Sequence, residues 1–204
     1  MGRNRGVVAL GRSCGVCGRM RFLTDFADQA VILPLVVTTA LGLWFGGWPR
    51  ATLAWLIVTA ATLGAVGLGK VMVFVWGPPE SLPLLLSPSG HTASAPLVYG
   101  GLAMLLLPRR WARVLGLPLA VLFGVAVGAT RLALGEHSIP DAWAGGAIGL
   151  LGSLALHMAI GPKPFDFRPW ALLGLGAAVI AGFHGLHMPA EQWLRALAAL
   201  LRAG

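Results

Sequence analysis

Charged side chains are scarce in this chain. They account for 11% of its 204 residues, whereas a typical soluble domain carries about 25%. Hydrophobic residues make up 57% of the chain and fall in long runs. The composition therefore excludes an ordinary soluble domain and predicts an integral membrane protein.

Cysteine is scarce as well. The chain holds two cysteines, Cys14 and Cys17, spaced as C-x-x-C, whereas a structural zinc site needs four ligands. No second pair of ligands accompanies them, so we interpret the pair as part of a flexible tail. We predict neither a metal site nor a cofactor.

Acidic residues are outnumbered by basic ones. The chain has 7 Asp and Glu against 15 Lys and Arg, which gives a net charge of +8. No basic face with interleaved aromatic residues is present, and the arginines lie mainly in the tails and short connections. We interpret them as contacts to lipid headgroups and expect no nucleic-acid partner.

Six runs lack Asp, Glu, Lys and Arg and are long enough, at about 17 residues or more, to cross a bilayer as helices. They cover residues 29–49, 51–69, 81–108, 114–130, 142–162 and 169–190. This pattern predicts an all-α polytopic membrane protein, built as a six-transmembrane-helix bundle.

The bundle is predicted to occupy residues 26–189, between two smaller segments. Residues 1–25 carry five arginines among glycines without sustained periodicity, which predicts a basic flexible tail. In residues 190–204, apolar and polar side chains recur at helical spacing, which predicts an amphipathic helix on the membrane interface. The apolar run Val7–Leu10 is too short for a cleavable signal peptide.

Two short polar stretches interrupt the apolar sequence, at residues 87–91 and 131–141. Polar groups at the ends of membrane spans are costly unless they have a function. Counting the crossings brings one set of polar residues to the same face of the membrane. The set consists of Lys70, His91, Arg131, His137 and Asp141.

This set is typical of a site for phosphoryl transfer. The backbone amides of Ser89, Gly90 and His91 stand at a predicted helix start, where the helix dipole favours phosphate oxygens. Arg131 offers a planar fork to two oxygens and Lys70 a point charge. Together these groups stabilise the charge of a phosphoryl-transfer transition state.

Two histidines indicate a nucleophile and a general acid, and Asp141 distinguishes them. It follows His137 by four residues, within reach across about one helical turn, so it can orient the imidazole for attack. His137 is therefore the predicted nucleophile. His91, beside the anion-binding turn, is the acid that protonates the departing alkoxide.

At these residues the sequence resembles the type 2 phosphatidic acid phosphatase family, the lipid phosphate phosphatases, whose active site is similar to that of vanadium haloperoxidases. The family's motifs read K-x6-R-P, P-S-G-H and S-R-x5-H-x3-D. The second is complete over residues 88–91. The third is matched by Arg131, His137 and Asp141, with a threonine in place of serine at position 130. In the first, Lys70 is kept, but Gly77 occupies the arginine position.

The resemblance covers about residues 51–160. It implies a six-helix bundle that hydrolyses lipid phosphates, of the phosphatidic acid or phosphatidylglycerophosphate type, without a metal. It also implies a phosphohistidine formed on His137, which Asp141 orients, and protonation of the leaving group by His91. The phosphate-binding residues that it implies are Lys70, Ser89, Gly90 and Arg131.

Two alternatives remain open. A polyprenyl diphosphate phosphatase, such as one acting on undecaprenyl diphosphate, uses the same residues. The other alternative is a non-catalytic membrane protein that keeps an anion-binding pocket. Its support is the missing arginine of the first motif, where Gly77 stands. The sequence gives no oligomeric state.

The resemblance places the site outside the cytoplasm, and we expect a bacterial inner membrane. Lysines and arginines outside the site divide seven against six between the two faces, so their count gives no orientation. His184 and His187 fall on the site's face. We interpret them as interfacial polar residues, with lining of the site mouth or a weak metal-binding pair as the alternatives.

Overall fold

The computed structural model describes residues 15–77 and 87–203, and this part of the chain is helical, without a strand. The predicted all-α class is confirmed for these residues. A π-helical segment, Pro96–Gly100, separates two of the helices. In chain order the helices are α1 (Gly15–Asp25), α2 (Gln29–Phe45), α3 (Pro49–Trp76), α4 (Gly90–Ala95), α5 (Gly101–Leu106), α6 (Arg109–Ala133), α7 (Ile139–Ala159), α8 (Pro169–Phe183) and α9 (Ala190–Ala203).

Four helical stretches in the described residues are long and apolar enough to cross a membrane, which is compatible with an integral membrane protein. They are Cys17–Phe45, Pro49–Trp76, Val114–Ala133 and Ile139–Ala159. The other two predicted spans correspond to shorter helical segments. One runs from α4 through the π-helical segment to α5, and the other is α8, with 15 residues. The count of six spans stays a prediction.

The flexible-tail interpretation is wrong for Gly15–Asp25, which forms helix α1 and packs against α6. Contacts distant in sequence hold its C-terminal part. Arg131 Nη1 donates to Thr24 Oγ1 at 3.5 Å, and His184 Nε2 lies 3.0 Å from the carbonyl oxygen of Phe22. Residues 1–14, including Cys14, lie outside the described residues. Cys17 is an exposed free thiol.

The basic stretch after Pro108 is helical and is not one of the short connections in which the sequence analysis placed the arginines. Residues 109–113 form the first turn of α6, and Pro108 occupies the N-cap with φ −53°. Proline suits a helix start because its fixed φ is already close to the helical value. The arginines of this stretch therefore belong to a helix.

Two glycines of α7 allow it to lie directly against α4. A side chain at Gly145 would collide with the backbone of Ser89, and one at Gly149 with the backbone of Ala93. Small residues permit this close approach of helices in membranes. The contact brings the start of α7 beside the start of α4, where the predicted catalytic residues lie.

The predicted amphipathic C-terminal helix is present as α9 and packs against α3. The guanidinium of Arg195 lies 4.5 Å from the ring centroid of Phe74, and Arg202 Nε donates to the carbonyl oxygen of Val75 at 3.1 Å. These contacts place α9 beside the C-terminal end of α3. Lys70 lies in that end.

Candidate active site

The predicted site residues converge on one cavity at one end of the bundle. It has a volume of about 380 Å³ and lies between α3, α4, α9 and the ends of α2 and α6. We call it the histidine cavity. The predicted residues that line it are Lys70, Gly90, His91, Arg131 and His137.

The start of α7 fixes the orientation of His137. Ser138 is the N-cap, and its side chain accepts a hydrogen bond from the backbone N–H of Asp141. Asp141 Oδ2 accepts from the backbone N–H of Ser138 at 3.0 Å and lies 3.4 Å from His137 Nδ1. A capping box thus holds the carboxylate in place, and the carboxylate holds one imidazole nitrogen. The other nitrogen, Nε2, is left for attack.

Asp141 also anchors the segment that leads into α4. Its Oδ1 accepts from the backbone N–H of Ser87 at 2.8 Å, and its carbonyl oxygen accepts from the backbone N–H of Ser89 at 3.0 Å. The side chain is 2% exposed. One buried carboxylate therefore joins the two polar stretches that the sequence singles out.

Ser89 was predicted to bind phosphate, but its position does not allow this. It is fully buried and does not line the histidine cavity. Its amide is taken by Asp141, and its Oγ accepts from the backbone N–H and the hydroxyl of Thr92, at 3.3 and 2.9 Å. Ser89 thus caps α4. The next two amides, of Gly90 and His91, have no acceptor among the described residues.

Lys70 is buried and paired with a carboxylate that the sequence reasoning missed. Its Nζ donates to Ser87 Oγ at 3.2 Å and to Glu191 Oε2 at 3.1 Å. Glu191 comes from α9 and is also bound by Arg195, at 2.7 Å. Burial alone would raise the pKa of Glu191, but the hydrogen bond from Arg195 and the charge of Lys70 lower it to about 2. Glu191 is therefore ionised at neutral pH.

Arg131 is paired with Glu136. Its side chain is 12% exposed, and its Nε is buried without a hydrogen-bond partner in the described part of the chain. A guanidinium in this state retains a donor for an incoming anion.

His91 also has a carboxylate partner that the sequence reasoning missed. Its Nε2 lies 3.7 Å from Asp28 Oδ2, at the N-cap of α2. Asp28 Oδ1 accepts from the backbone amides of Ala30 and Met188, at 2.8 and 3.1 Å. The carboxylate is thus fixed by the backbone. Its charge favours the protonated form of His91 that a general acid needs, against the burial of the imidazole, which favours the neutral form.

The surroundings of His137 favour its neutral form. Burial lowers the pKa of His137, the charges of Lys70 and Arg131 lower it further, and Asp141 acts in the opposite direction. A neutral imidazole is the nucleophilic form. No group of three or more His, Cys, Asp or Glu within residues 15–77 and 87–203 is arranged to hold a metal.

His184 and His187 do not line the histidine cavity. His184 contacts the carbonyl of Phe22, and His187 Nε2 lies 3.1 Å from Asp25 Oδ1. Both histidines therefore connect the segment after α8 to α1. Neither histidine is therefore part of the wall of the histidine cavity.

Gly77 ends α3 with φ +86° and ψ 175°. This backbone conformation is essentially restricted to glycine, so an arginine is disfavoured at this position. The next residue of the first motif, Pro78, lies outside the described residues. The residue at the arginine position of the motif thus has a backbone conformation that arginine rarely adopts.

One comparison with known proteins identifies a family over the part of the chain that contains this site. The family model described as the PAP2 superfamily matches residues 51–164, which is more than half of the chain and includes Lys70, His91, Arg131, His137 and Asp141. No curated protein and no solved structure matches the chain. The extent of the family match shows that this chain belongs to the PAP2 superfamily.

Proposed function

We propose that this protein is an integral membrane phosphatase that hydrolyses lipid phosphate monoesters through a phosphohistidine, without a metal. The observation that carries the proposal is the geometry of the histidine cavity. Two imidazoles, each next to a buried carboxylate, line it together with Lys70 and Arg131. Membership of a superfamily that consists generally of phosphatases supports the same conclusion.

In the first step, His137 Nε2 attacks the phosphorus, and the bond from phosphorus to the lipid oxygen breaks. The protonated His91 transfers its proton to that oxygen, so the lipid leaves as an alcohol. In the second step, water attacks the phosphohistidine while the now neutral His91 takes a proton from it. The phosphorus–nitrogen bond breaks, and inorganic phosphate leaves with both histidines in their starting protonation states.

The phosphate oxygens lie between Lys70 and Arg131 and accept from the amides of Gly90 and His91. In the free protein, Lys70 forms an ion pair with Glu191 and Arg131 forms one with Glu136. The dianionic phosphate competes with the two carboxylates for them. Because Arg195 still binds Glu191 when Lys70 is released, the displaced carboxylate keeps one of its ion pairs.

The walls of the cavity favour a lipid substrate. Leu33, Leu63 and Val66 line one side, and Trp193 and Leu194 of α9 line another. An apolar wall beside a cationic centre suits a phosphate attached to a lipid. We place the six predicted spans in a bacterial inner membrane, with the site on its extracytoplasmic face.

Turnover by the purified full-length chain in detergent with EDTA tests the proposal. The panel comprises phosphatidic acid, phosphatidylglycerophosphate and undecaprenyl diphosphate, with phosphate release as the measurement. We expect metal-independent release from the monoesters. Preference for the diphosphate supports the polyprenyl alternative, and absence of turnover on every lipid supports a non-catalytic anion-binding protein.

The intermediate has its own test. Brief incubation with substrate labelled on the phosphate, followed by alkaline quenching, is expected to leave label on the protein that is stable to base and lost in acid. His137→Ala is expected to abolish that label. Equal labelling of His137→Ala would assign the nucleophile to another residue.

A further inference from the structure

A second cavity lies at the end of the bundle opposite to the histidine cavity. It has a volume of about 230 Å³ and lies where α5 ends, α6 begins and α7 passes into the connection to α8. Its polar lining residues are Trp48, Arg109, His157 and Lys163. We call it the basic cavity.

The positive charge of the basic cavity is not compensated. No carboxylate lines it, and neither Arg109 nor Lys163 forms an ion pair within the described ranges. Lys163 Nζ donates to the carbonyl oxygen of Leu107 at 2.8 Å, which caps the end of α5. This hydrogen bond fixes the ammonium group in place but does not neutralise it.

Two buried polar atoms in the same lining have no partner. Trp48 is 4% exposed, and its Nε1 has no hydrogen-bond acceptor in the described part of the chain. His157 Nδ1 is likewise buried without a partner. An indole N–H can only donate a hydrogen bond, and buried donors in folded proteins are almost always paired. Both atoms belong to side chains that line one cavity, which indicates an acceptor bound there.

We propose that the basic cavity binds the headgroup of an anionic phospholipid. The lipid phosphate accepts from Trp48 Nε1 and lies beside Lys163 and Arg109. Met104, Met158 and Ile160 also line the cavity and suit the first carbons of the acyl chains. Basic pockets between membrane helices bind such headgroups. A zwitterionic lipid fits less well because its own cation adds to the uncompensated charge.

Native mass spectrometry of the full-length chain tests this proposal. The protein is extracted in detergent and titrated with phosphatidylglycerol or phosphatidylcholine. Phosphatidylglycerol is a phosphodiester and offers no phosphate monoester to the histidine cavity. We expect preferential retention of phosphatidylglycerol, with its affinity reduced about tenfold in Lys163→Gln, since hydrogen bonds to charged groups are the strong ones.

Three further variants sharpen the test. Lys163→Arg, which keeps the charge, is expected to retain the lipid. Arg168→Gln is the matched control, because Arg168 is exposed at the same end of the bundle and does not line the basic cavity. Trp48→Phe removes the indole N–H and keeps an aromatic ring against Phe167, so we expect a loss similar to that of Lys163→Gln.

Four results would overturn the proposal. Equal retention of the two lipids, or an equal loss in Arg168→Gln, would mean non-specific attraction to the basic surface. Unchanged binding in Lys163→Gln would mean that the lipid binds outside the basic cavity. Displacement of bound phosphatidylglycerol by inorganic phosphate at similar affinity would assign the site to a free anion instead of a lipid.

Discussion

Both ends of the bundle carry cations, but the two ends differ in whether these cations are paired with carboxylates. In the histidine cavity, Lys70 is paired with Glu191 and Arg131 with Glu136. In the basic cavity, neither Arg109 nor Lys163 is paired within the described ranges. The same kind of charge is thus compensated at one end and uncompensated at the other.

This difference fits two kinds of anion binding. A catalytic site must release phosphate after each turnover, and a carboxylate that returns to the cation assists the release. An uncompensated cation holds an anion for longer because nothing within the protein replaces it. The predictions below separate the two ends, beginning with the largest expected effect.

Replacement of His137, the proposed nucleophile, should abolish phosphate release. We expect His137→Ala to lower phosphate release from phosphatidic acid by more than about a thousandfold, as for other catalytic nucleophiles. His184→Ala is the matched control, since His184 lies outside the histidine cavity. A variant with the nucleophile removed that keeps a tenth of the activity would contradict the assigned role.

Loss of the carboxylate beside His91, the proposed general acid, should have a smaller effect that depends on the substrate. We expect Asp28→Asn to lower kcat on phosphatidic acid about tenfold to a hundredfold, because His91 loses the anion that stabilises its protonated form. A p-nitrophenyl ester has a leaving group that needs no proton, so its hydrolysis should be less affected. Equal losses on both substrates would show that Asp28 serves only the structure.

The pairing of Lys70 can be tested by removing its carboxylate. We expect Glu191→Gln to lower KM for phosphatidic acid by about threefold to tenfold, because the phosphate no longer competes with an anion for this cation. Asp166→Asn makes the same change in charge at the opposite end and should leave KM unchanged. A higher KM in Glu191→Gln would show instead that the carboxylate positions Lys70 for the substrate.

The pH profile gives the smallest but most direct reading of the site's electrostatics. Attack requires neutral His137, and the pKa of this imidazole is lowered by burial and by the charges of Lys70 and Arg131. Activity is therefore retained on acidification until the pH falls through that lowered pKa. We expect the acidic limb of kcat/KM to have its midpoint below about 6.5, the ordinary value for histidine. A midpoint above that value would contradict a desolvated, cation-facing His137.

Sequence reasoning reached the site because its signals are local. The pattern of apolar runs brings His91 and His137 to one face, and the spacing of four residues from His137 to Asp141 corresponds to one helical turn. Ser138, the N-cap of α7, is also marked locally, by a proline in the first turn that follows it. These features depend on the chain over a few residues.

What the sequence did not reveal depends on contacts between distant segments. Asp28 and Glu191 are separated from their partners by 63 and 121 residues, and no pattern in either helix indicates the pairing. The amide of Ser89 was expected to face phosphate, but the packing of α7 on α4 gives it to Asp141. Helix α1 was missed for the same reason, since its contacts come from Arg131 and His184.

The glycines of α7 have a consequence for how acid and nucleophile cooperate. His91 belongs to α4 and His137 to the turn before α7, so the separation of the two imidazoles depends on how closely these two helices pack. Gly145 and Gly149 make that contact as thin as two backbones allow. A methyl group at either glycine would push α7 away from α4 and so increase the distance between His91 and His137, without touching either imidazole.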